Sequence, residues 1–340
     1  MVTRREVAER ARTSEAVVSY VINNGPRNVS PETRERVLAA INELGYRANA
    51  VARSLRTRHT MTLGLVVPDA GATFFGSLAR EIENAAFSAG YTLLLGNAME
   101  RAERESAHVR ALLDRQVDGL ILAPIGRSGP WVDEVARSRT RTVILDRELE
   151  DVSATQILID NEQGAYDATR HLIEHGWRRV GCLAGPEGVH PTIDRVAGWR
   201  RALAEAGIDP AGTPPSYGSF RQWDGYEQGK RLLAGSARPD AIFTTSDEQG
   251  LGLLRAAFER GLRVPRDLAV VSFDGIAGSA YSIPSLSTVQ QPLDELGALA
   301  VQRVLAQSAD ERPDGETIRL TTKLIVRESC GCGREAAPRA

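Results

Sequence analysis

The sequence predicts an all-α head followed by an α/β core made of two doubly wound parallel-sheet lobes. The head is indicated by the first sixty residues, which carry eleven Arg against six Asp and Glu and contain three short helical patterns. The core is indicated by the remainder, where apolar strand-like runs alternate with amphipathic helical patterns. Continuous apolar strands joined by helices are typical of parallel sheets covered on both faces, and two successive series of them indicate two units.

Charge and composition set the class of protein. The head has a formal charge of +5 and the whole chain of 340 residues has −2, so the remaining residues sum to −7. A compact basic module beside an acidic remainder is typical of a DNA-binding domain fused to a domain that does not touch DNA. The composition, 42% hydrophobic and 25% charged, is that of an ordinary folded protein. No apolar run reaches membrane-spanning length and the N-terminus lacks a secretory apolar segment, so we expect a cytoplasmic location.

The first two helices are predicted from their caps. Thr3-Arg4-Arg5-Glu6 has the spacing of a capping box, so a helix begins there. A few residues later, Thr13 or Ser14 caps a second helix. Helical spacing turns one face of each helix inward, namely Val7, Ala8 and Ala11 in the first and Val18, Val21 and Ile22 in the second. Two short helices joined by a tight turn indicate a helix-turn-helix.

A third helix closes the core of the head. It begins at Ser30-Pro31-Glu32-Thr33, where a serine cap precedes proline at the first helical position, and Gly45 ends it. Its inward face holds Val37, Ile41 and Leu44. Three such helices can enclose a small apolar core.

The polar face of the second helix is the predicted DNA-reading face. Its members at helical spacing are Glu15, Ala16, Ser19, Tyr20 and Asn23. The candidate DNA contacts of the head also include Thr3, Thr13, Ser14 and Val17. A helical bundle that binds a protein partner is the alternative, because short basic amphipathic helices are common.

Residues 46–60 favour DNA over that alternative. A short helical stretch there holds one apolar residue, Leu55, among Arg47, Arg53, Arg56 and Arg58. Guanidinium groups can hold phosphates while an apolar side chain enters an unstacked base step in the minor groove. We therefore predict that Leu55 kinks the duplex and that the DNA contacts of this segment are Asn49, Arg53, Leu55 and Arg56.

These motifs together resemble the head and hinge of the LacI family of bacterial transcription regulators. The residues that carry the resemblance are Val7-Ala8, Thr13-Ser14-Glu15-Ala16-Val17-Val18-Ser19, Val21-Ile22-Asn23, Val29-Ser30-Pro31-Glu32-Thr33-Arg34-Glu35-Arg36-Val37, Leu44-Gly45-Tyr46 and Asn49-Ala50-Val51-Ala52-Arg53-Ser54-Leu55. Three positions depart from the family pattern: Arg12 replaces a turn Gly, Ala48 replaces a Pro before the hinge, and Tyr20 stands where relatives often have Arg. A side chain forced to positive φ costs on the order of 1 kcal/mol, so we expect Arg12 to weaken the head slightly or to alter its turn.

The resemblance implies a plan for the whole chain. Residues 1–46 form the helix-turn-helix domain, 47–60 the hinge helix and linker, 61–330 the effector-binding and dimerisation core, and 331–340 a flexible tail. Cores of this family are similar to periplasmic sugar-binding proteins, with three chain crossings between the lobes, expected here near Asp160, Gln290 and Arg319. Lobe 1 then comprises about 61–160 and 291–319, and lobe 2 about 161–290 and 320–330.

Within the core, the apolar runs place the strands. Residues 62–67, 91–96, 119–123 and 142–145 form the first series, and 180–184, 241–244 and 268–273 belong to the second. Helical patterns over 75–89 and 162–175 lie between them. In open α/β sheets ligands collect at the carboxyl ends of the strands, so those ends hold the candidate site.

The side chains at and after the strand ends suit a small polyol. Buried carboxylates and a guanidinium make directional hydrogen bonds with hydroxyl groups, and aromatic rings pack on the apolar faces of a sugar. The predicted effector-binding residues are Phe74, Phe75, Asp146, His190, Arg195, Phe220, Ser246 and Asp274. A sugar is the favoured effector. A purine or nucleoside is the alternative, because Gly188-Val189-His190-Pro191 is less typical of sugar-responsive relatives.

Catalytic and metal chemistry have no support in the motifs. The sequence contains no G-x-G-x-x-G after the first strand, no phosphate-binding G-x-x-x-x-G-K-[ST], no G-x-S-x-G and no H-E-x-x-H. We therefore expect no enzyme activity, no cofactor and no metal. His171 and His175 share a helix face but are expected to be exposed or satisfied, and Cys330 and Cys332 are expected to lie in a tail without a chemical role.

The sequence thus predicts a homodimeric transcription regulator that binds double-stranded operator DNA, without contact to a membrane. A small molecule between the two core lobes is expected to change their closure and thereby the affinity for the operator. A cytoplasmic sugar-binding or sensor protein without DNA activity is the main alternative, and the Arg-rich head argues against it.

Overall fold

The computed structural model describes residues 2–23, 28–47, 59–126, 129–138, 140–149, 152–235, 238–306 and 315–332. The chain divides into two compact units, Met1–Thr60 and Met61–Ala340. We call the first the head and the second the core. The hinge residues 48–58, with the predicted DNA contacts Asn49, Arg53, Leu55 and Arg56, lie outside the described residues.

The head contains helices α1 (Arg4–Arg10), α2 (Glu15–Asn23) and α3 (Pro31–Leu44). The predicted caps are present: Thr3 and Glu6 form a reciprocal capping box, and Ser30 accepts a hydrogen bond from the amide of Thr33. Of the two residues proposed to cap α2, Ser14 does so by accepting from the amide of Val17. Gly45 ends α3 in the left-handed conformation at φ +61°.

The three helices enclose an apolar core formed by Val7, Ala8, Ala11, Val18, Val21, Val37 and Ala40. The predicted inward residues Ile22, Ile41 and Leu44 pack against this cluster but stay partly exposed. Arg12, which stands in the turn between α1 and α2, has φ +51°. The chain therefore carries a strained non-glycine residue at the position where the resemblance places Gly.

Lobe 1 of the core is a six-stranded sheet. Its strands are β1 (Thr62–Val67), β2 (Thr92–Asn97), β3 (Gly119–Leu122), β4 (Arg141–Leu145), β5 (Thr155–Ile159) and β11 (Thr317–Leu320), in the spatial order β11-β5-β4-β3-β1-β2. All neighbouring pairs are parallel. The helices of this lobe are α4 (Thr73–Ser88), α5 (Ala102–Asp114), α6 (Trp131–Arg137) and α11 (Leu293–Ala306).

Lobe 2 is a second six-stranded sheet. Its strands are β6 (Val180–Ala184), β7 (Ser216–Tyr217), β8 (Ala241–Thr244), β9 (Ala269–Asp274), β10 (Ser287–Gln290) and β12 (Lys323–Ile325), in the order β12-β10-β9-β8-β6-β7. The sheet is parallel except for the antiparallel pair of β10 and β12. Its helices are α7 (Asn161–Glu174), α8 (His190–Glu205), α9 (Gln222–Leu232) and α10 (Asp247–Glu259).

Both sheets are covered on both faces. In β1, Leu65 and Val66 are fully buried but belong to different apolar clusters, because successive side chains of a strand point to opposite faces. In β6, Cys182 and Leu183 divide in the same way. The predicted fold class, a helix-turn-helix head with two doubly wound parallel-sheet lobes, is confirmed.

The chain passes between the two sheets three times. The first passage lies between β5 and α7, the second between β10 and α11, and the third between β11 and β12. Among the described helices, none is long and apolar enough to cross a membrane.

Candidate functional site

A cavity of about 220 Å³ lies between the two lobes and is lined by residues of both. Seven of the eight predicted effector-binding residues are on its wall: Phe74, Phe75, Asp146, Arg195, Phe220, Ser246 and Asp274. Asp146 directly follows β4, Ser246 follows β8 by two residues, and Asp274 ends β9. The carboxyl ends of the strands, where the sequence predicts a ligand site, therefore bring these three side chains to one cavity.

Arg195 is the best-anchored polar side chain of the cavity. It lies on α8 and is 3% exposed. Its Nε donates to Oδ1 of Asn161 at 2.8 Å, and its Nη1 donates to the carbonyl oxygen of Thr245 at 2.5 Å and to Oδ1 of Asp274 at 3.2 Å. The guanidinium also lies 3.8 Å above the ring of Phe273. These contacts fix the plane of the guanidinium before any ligand arrives.

Asp274 shares the buried end of this network. Its Oδ1 also accepts from Nε2 of Gln291 at 2.9 Å, and its backbone has φ +117°, a strained value for a residue with a side chain. Burial raises the pKa of the Asp274 carboxyl to about 7, against the opposing effect of Arg195. Backbone strain and a displaced pKa in one cleft residue are typical of a functional site.

The raised pKa predicts a pH dependence of stability. The folded protein holds the Asp274 proton more tightly than the unfolded chain, where the pKa is 3.8. The contribution of Asp274 to the free energy of unfolding is therefore complete below that value and is lost as pH rises through about 7. We expect the melting temperature of Asp274→Asn to vary less with pH in this window than that of the parent.

Asp267→Asn is the matched control for this measurement. The hydrogen bonds from Arg263 lower the pKa of Asp267 to about 2, so this carboxyl titrates below the window. Its removal should leave the pH slope between about 4 and 7 unchanged. Identical slopes for Asp274→Asn and the parent would contradict the raised pKa.

Arg147 is a cavity residue that the sequence reasoning missed. It follows Asp146, lines the cavity and is 9% exposed. Its Nε is buried and has no hydrogen-bond partner among the described residues, and the nearest carboxylate, Asp146, is 3.9 Å away. Burial lowers the pKa of the Arg147 guanidinium. A buried donor without a partner costs free energy, so this group is available to a ligand with an acceptor atom. Its place directly after a named strand-end residue was the available sequence signal.

His190 departs from the prediction. It is the first residue of α8 and is not among the residues that line the cavity, although its neighbours Val189 and Pro191 are. The imidazole instead lies 3.4 Å from Asp194 and 3.9 Å from Glu148. The ring thus lies beside two carboxylates and outside the lining of the cavity.

Polar contacts join the lobes at the edge of the cavity. Nη2 of Arg221 in lobe 2 donates to Asp69 and, at 2.9 Å, to Oε1 of Glu100 in lobe 1. The amide of Thr73, at the start of α4, donates to Oε1 of Glu248 at 2.8 Å. These contacts exist only when the two lobes are close, so they favour the closed arrangement of the lobes.

Asp247, which follows the cavity residue Ser246, forms hydrogen bonds inside lobe 2. Asp247 is fully buried, and its carboxylate accepts hydrogen bonds from Ser272, from Thr288 at 2.6 Å and from the amide of Ile276 at 2.7 Å. Burial raises the pKa of Asp247 to about 6. Because these bonds tie α10 to β9 and β10, Asp247 serves the fold rather than a ligand.

On the head, the predicted reading face of α2 is solvent-accessible. Ser14, Glu15, Ala16 and Asn23 are exposed, while Thr13, Val17, Ser19 and Tyr20 are half-buried. Asn23 donates from Nδ2 to the carbonyl oxygen of Ser19 at 2.8 Å, which orients its amide on the outer face. Thr3 is exposed at the capping box of α1. The buried face of the same helix packs on α1 and α3.

Two family models match the chain. Residues 3–49 match the bacterial regulatory proteins of the lacI family, and residues 169–330 match a periplasmic binding protein-like domain. The HTH-type transcriptional repressors PurR of Salmonella paratyphi B and of Escherichia fergusonii are each 36% identical over 335 residues, which cover 98% of both chains.

Solved structures agree with this match. The Lac repressor dimer bound to operator and the anti-inducer ONPF has a TM-score of 0.86 at 28% identity, over 97% of this chain and 99% of that one. The complex of the transcriptional regulator CelR with cellobiose has a TM-score of 0.70 at 31% identity, over 97% and 100%. A LacI family regulator of Enterococcus faecium with bound ribose has a TM-score of 0.73 at 26% identity, over 79% and 98%. The chain therefore belongs to the lacI family of bacterial regulatory proteins and is a DNA-binding transcription regulator modulated by a small molecule.

Proposed function

We propose that this protein is a homodimeric repressor whose operator affinity depends on a small molecule bound between the two core lobes. One observation carries the proposal: the cavity joins a buried guanidinium–carboxylate pair, Arg195 and Asp274, to aromatic rings from both lobes, Phe74 and Phe220. A ligand that touches both lobes stabilises their closed arrangement through its differential affinity for the two states.

The lining favours a sugar as that ligand. Carboxylates at Asp146 and Asp274 accept hydrogen bonds from hydroxyl groups, the hydroxyl of Ser246 adds a polar contact, and the phenyl rings offer apolar faces for C–H surfaces. The relatives with cellobiose and ribose support a carbohydrate of this kind. The ligand roles of Phe74, Phe75, Asp146, Arg195, Phe220, Ser246 and Asp274 are part of the proposal.

A purine base is the second candidate. A ring nitrogen or carbonyl oxygen of a purine can accept a hydrogen bond from the unpartnered Nε of Arg147, as a sugar hydroxyl also can. Phe74 and Phe220 offer flat surfaces for a planar base. The similarity to the PurR repressors is consistent with this alternative.

DNA binding is proposed to use α2 and the hinge. The outer face of α2 reads the major groove from Thr13, Ser14, Glu15, Ala16, Val17, Ser19, Tyr20 and Asn23, with Thr3 near the phosphates. Asn49, Arg53 and Arg56 flank Leu55 in the minor groove. A dimer doubles these contacts, so the operator should be an inverted repeat.

The test begins with the full-length protein and the DNA upstream of its own operon. Calorimetric titration with ribose, cellobiose, hypoxanthine and guanine identifies the ligand class, and gel shifts measure operator affinity with and without each compound. We expect one class to bind and to change operator affinity at least tenfold. Footprinting should show an inverted repeat. An asymmetric site bound by a monomer, or a ligand that binds without any change in operator affinity, would count against the proposal.

Arg147→Met tests whether Arg147 contacts the ligand. This substitution keeps an unbranched side chain and removes the unpartnered donor of Arg147. We expect at least a tenfold loss of affinity for the compound that the titrations identify, because a hydrogen bond to a charged group contributes about 1.5–3 kcal/mol. Lys323→Met, which removes a cation from β12 outside the cavity, is the control and should bind like the parent.

A further inference from the structure

Two histidines and two cysteines lie together at one end of lobe 2. His171 and His175 are one helical turn apart at the C-terminal end of α7, and Cys330 and Cys332 lie after β12. Sγ of Cys332 is 2.7 Å from Nε2 of His171, and the two sulfur atoms are 3.1 Å apart. The cysteines were expected to lie in a tail, whereas folding brings Cys332 beside His171 of α7, 161 residues away in the sequence.

The geometry of the cluster is that of a ligand set. One ligand atom from each of His171, His175 and Cys332 lies within 4.8 Å of the others, and Cys330 supplies a second thiol next to Cys332. The centroids of the two imidazole rings are 4.4 Å apart, and the ring planes are tilted by 45° to each other. Around a tetrahedral zinc ion, with bonds of about 2.3 Å to sulfur and about 2.1 Å to nitrogen, ligand atoms lie roughly 3.3–3.8 Å apart. Small movements of the side chains would therefore bring the four ligand atoms to these distances.

The backbone holds the two thiols on one side of the chain. Ser329 pairs with β9 through two hydrogen bonds: its carbonyl accepts from the amide of Val270 at 2.9 Å, and its hydroxyl donates to the carbonyl of Val270 at 2.7 Å. Gly331, between the cysteines, has φ +87°, a conformation that favours glycine. An added Cβ there would also lie 3.3 Å from Pro265. The turn is therefore built around glycine.

The hydrogen bonding of the His175 ring leaves a nitrogen that can bind a metal ion. Its Nδ1 lies 2.7 Å from the carbonyl oxygen of His171. A carbonyl oxygen only accepts, so in the neutral ring Nδ1 carries the proton and Nε2 presents its lone pair. Metal-bound histidines commonly donate their other ring N–H to a backbone carbonyl in this way. His175 is exposed, which gives an ion a path to the cluster.

We propose that His171, His175, Cys330 and Cys332 bind one Zn²⁺ ion. Two thiolates with two imidazoles are a donor set that zinc prefers, and the arrangement has no open position for chemistry. The ion would link the chain segment after β12 to α7 through its ligands and so stabilise lobe 2. The cluster is distinct from the cavity between the lobes: Asn161, which contacts Arg195, lies at the opposite end of α7, roughly 20 Å away along the helix.

The test uses reduced full-length protein from which metal has been removed with a chelator. Titration with Co²⁺ as a spectroscopic probe should give one equivalent per chain, with ligand-field bands of a tetrahedral site and a thiolate-to-cobalt charge-transfer band. Zn²⁺ should displace Co²⁺ and raise the melting temperature by several degrees, because an ion that binds only the folded state stabilises it. Cys332→Ser and His171→Ala should each lose at least tenfold in affinity.

Cys182→Ala is the matched control, since Cys182 is a buried free cysteine of β6 outside the cluster. It should bind Co²⁺ with the same spectrum as the parent. Absence of the charge-transfer band in the reduced parent, or equal binding in the parent, Cys332→Ser and His171→Ala, would overturn the proposal. Thiols that alkylate equally fast with and without one equivalent of added Zn²⁺ would also overturn it.

Discussion

Replacement of Arg195 by alanine is expected to reduce effector affinity at least a hundredfold while basal operator affinity changes less than twofold. Arg195 is almost fully buried and bonds to Asn161, Thr245 and Asp274. Loss of its charge removes the proposed ligand contact and leaves the Asp274 carboxylate without its cationic partner. A charge-assisted hydrogen bond contributes about 1.5–3 kcal/mol, and disruption of the pair adds to that loss.

Asp274→Asn provides the complementary measurement. It keeps the shape of the side chain and, at a pH above the Asp274 pKa of about 7, removes the ionised acceptor, so we expect a loss of about ten- to a hundredfold in effector affinity. The measurement is calorimetric titration with the compound found in the screen, paired with gel shifts with and without it. Arg263→Ala is the control, because Arg263 bonds only to Asp267 on the surface among the described residues. If both cavity variants bind effector like the parent, the cavity is not the effector site.

The second large effect is expected on stability, from Gly198→Ala. Gly198 lies on α8 where this helix crosses α7, and an added Cβ would overlap the carbonyl oxygen of Glu162 and the amide of Tyr166. These are backbone atoms, so a whole helix must move. Overpacking of this kind costs about 1–3 kcal/mol or more, which exceeds the gain of up to about 1 kcal/mol in helix propensity.

We expect the melting temperature of Gly198→Ala to fall by roughly 5 °C in a thermal unfolding experiment. Effector affinity should fall as well, since Asn161 on α7 orients Arg195 on α8. Gly278→Ala is the control: no atom lies within 4 Å of its added Cβ, and its φ is not positive. An unchanged melting temperature in Gly198→Ala would show that the two helices can separate at little cost.

Local signals account for what the sequence predicted well. The capping box of Thr3 and Glu6, the cap at Ser30 and the left-handed Gly45 each depend on contacts within a few residues, and all three are present. Seven strands with continuous apolar runs were predicted, because a parallel strand buried on both faces needs such a run. The edge strands β7, β11 and β12 and the interior strands β5 and β10 are short or interrupted by polar residues and were not identified individually.

Features that depend on distant residues were missed. The Arg221–Asp69 contact joins residues 152 positions apart, and Cys332 meets His171 across 161. Neither pair has a sequence pattern that reports its proximity. His190 was assigned to the cavity by its position in a motif, whereas its imidazole lies beside Asp194 and Glu148. Residue type and strand-end position thus predict the wall of a site, but not which charges neutralise each other within it.

The order of the strands also bears on how the protein is made. β11 completes lobe 1 and β12 completes lobe 2, and both lie near the end of the chain. Lobe 1 has all its strands only after residue 320 and lobe 2 only after residue 325, so both sheets stay incomplete until nearly the same point of translation. A premature stop codon before residue 317 therefore leaves two unpaired sheet edges rather than one finished lobe, and such edges promote aggregation. A late nonsense mutation in this gene should yield insoluble protein, not a truncated regulator.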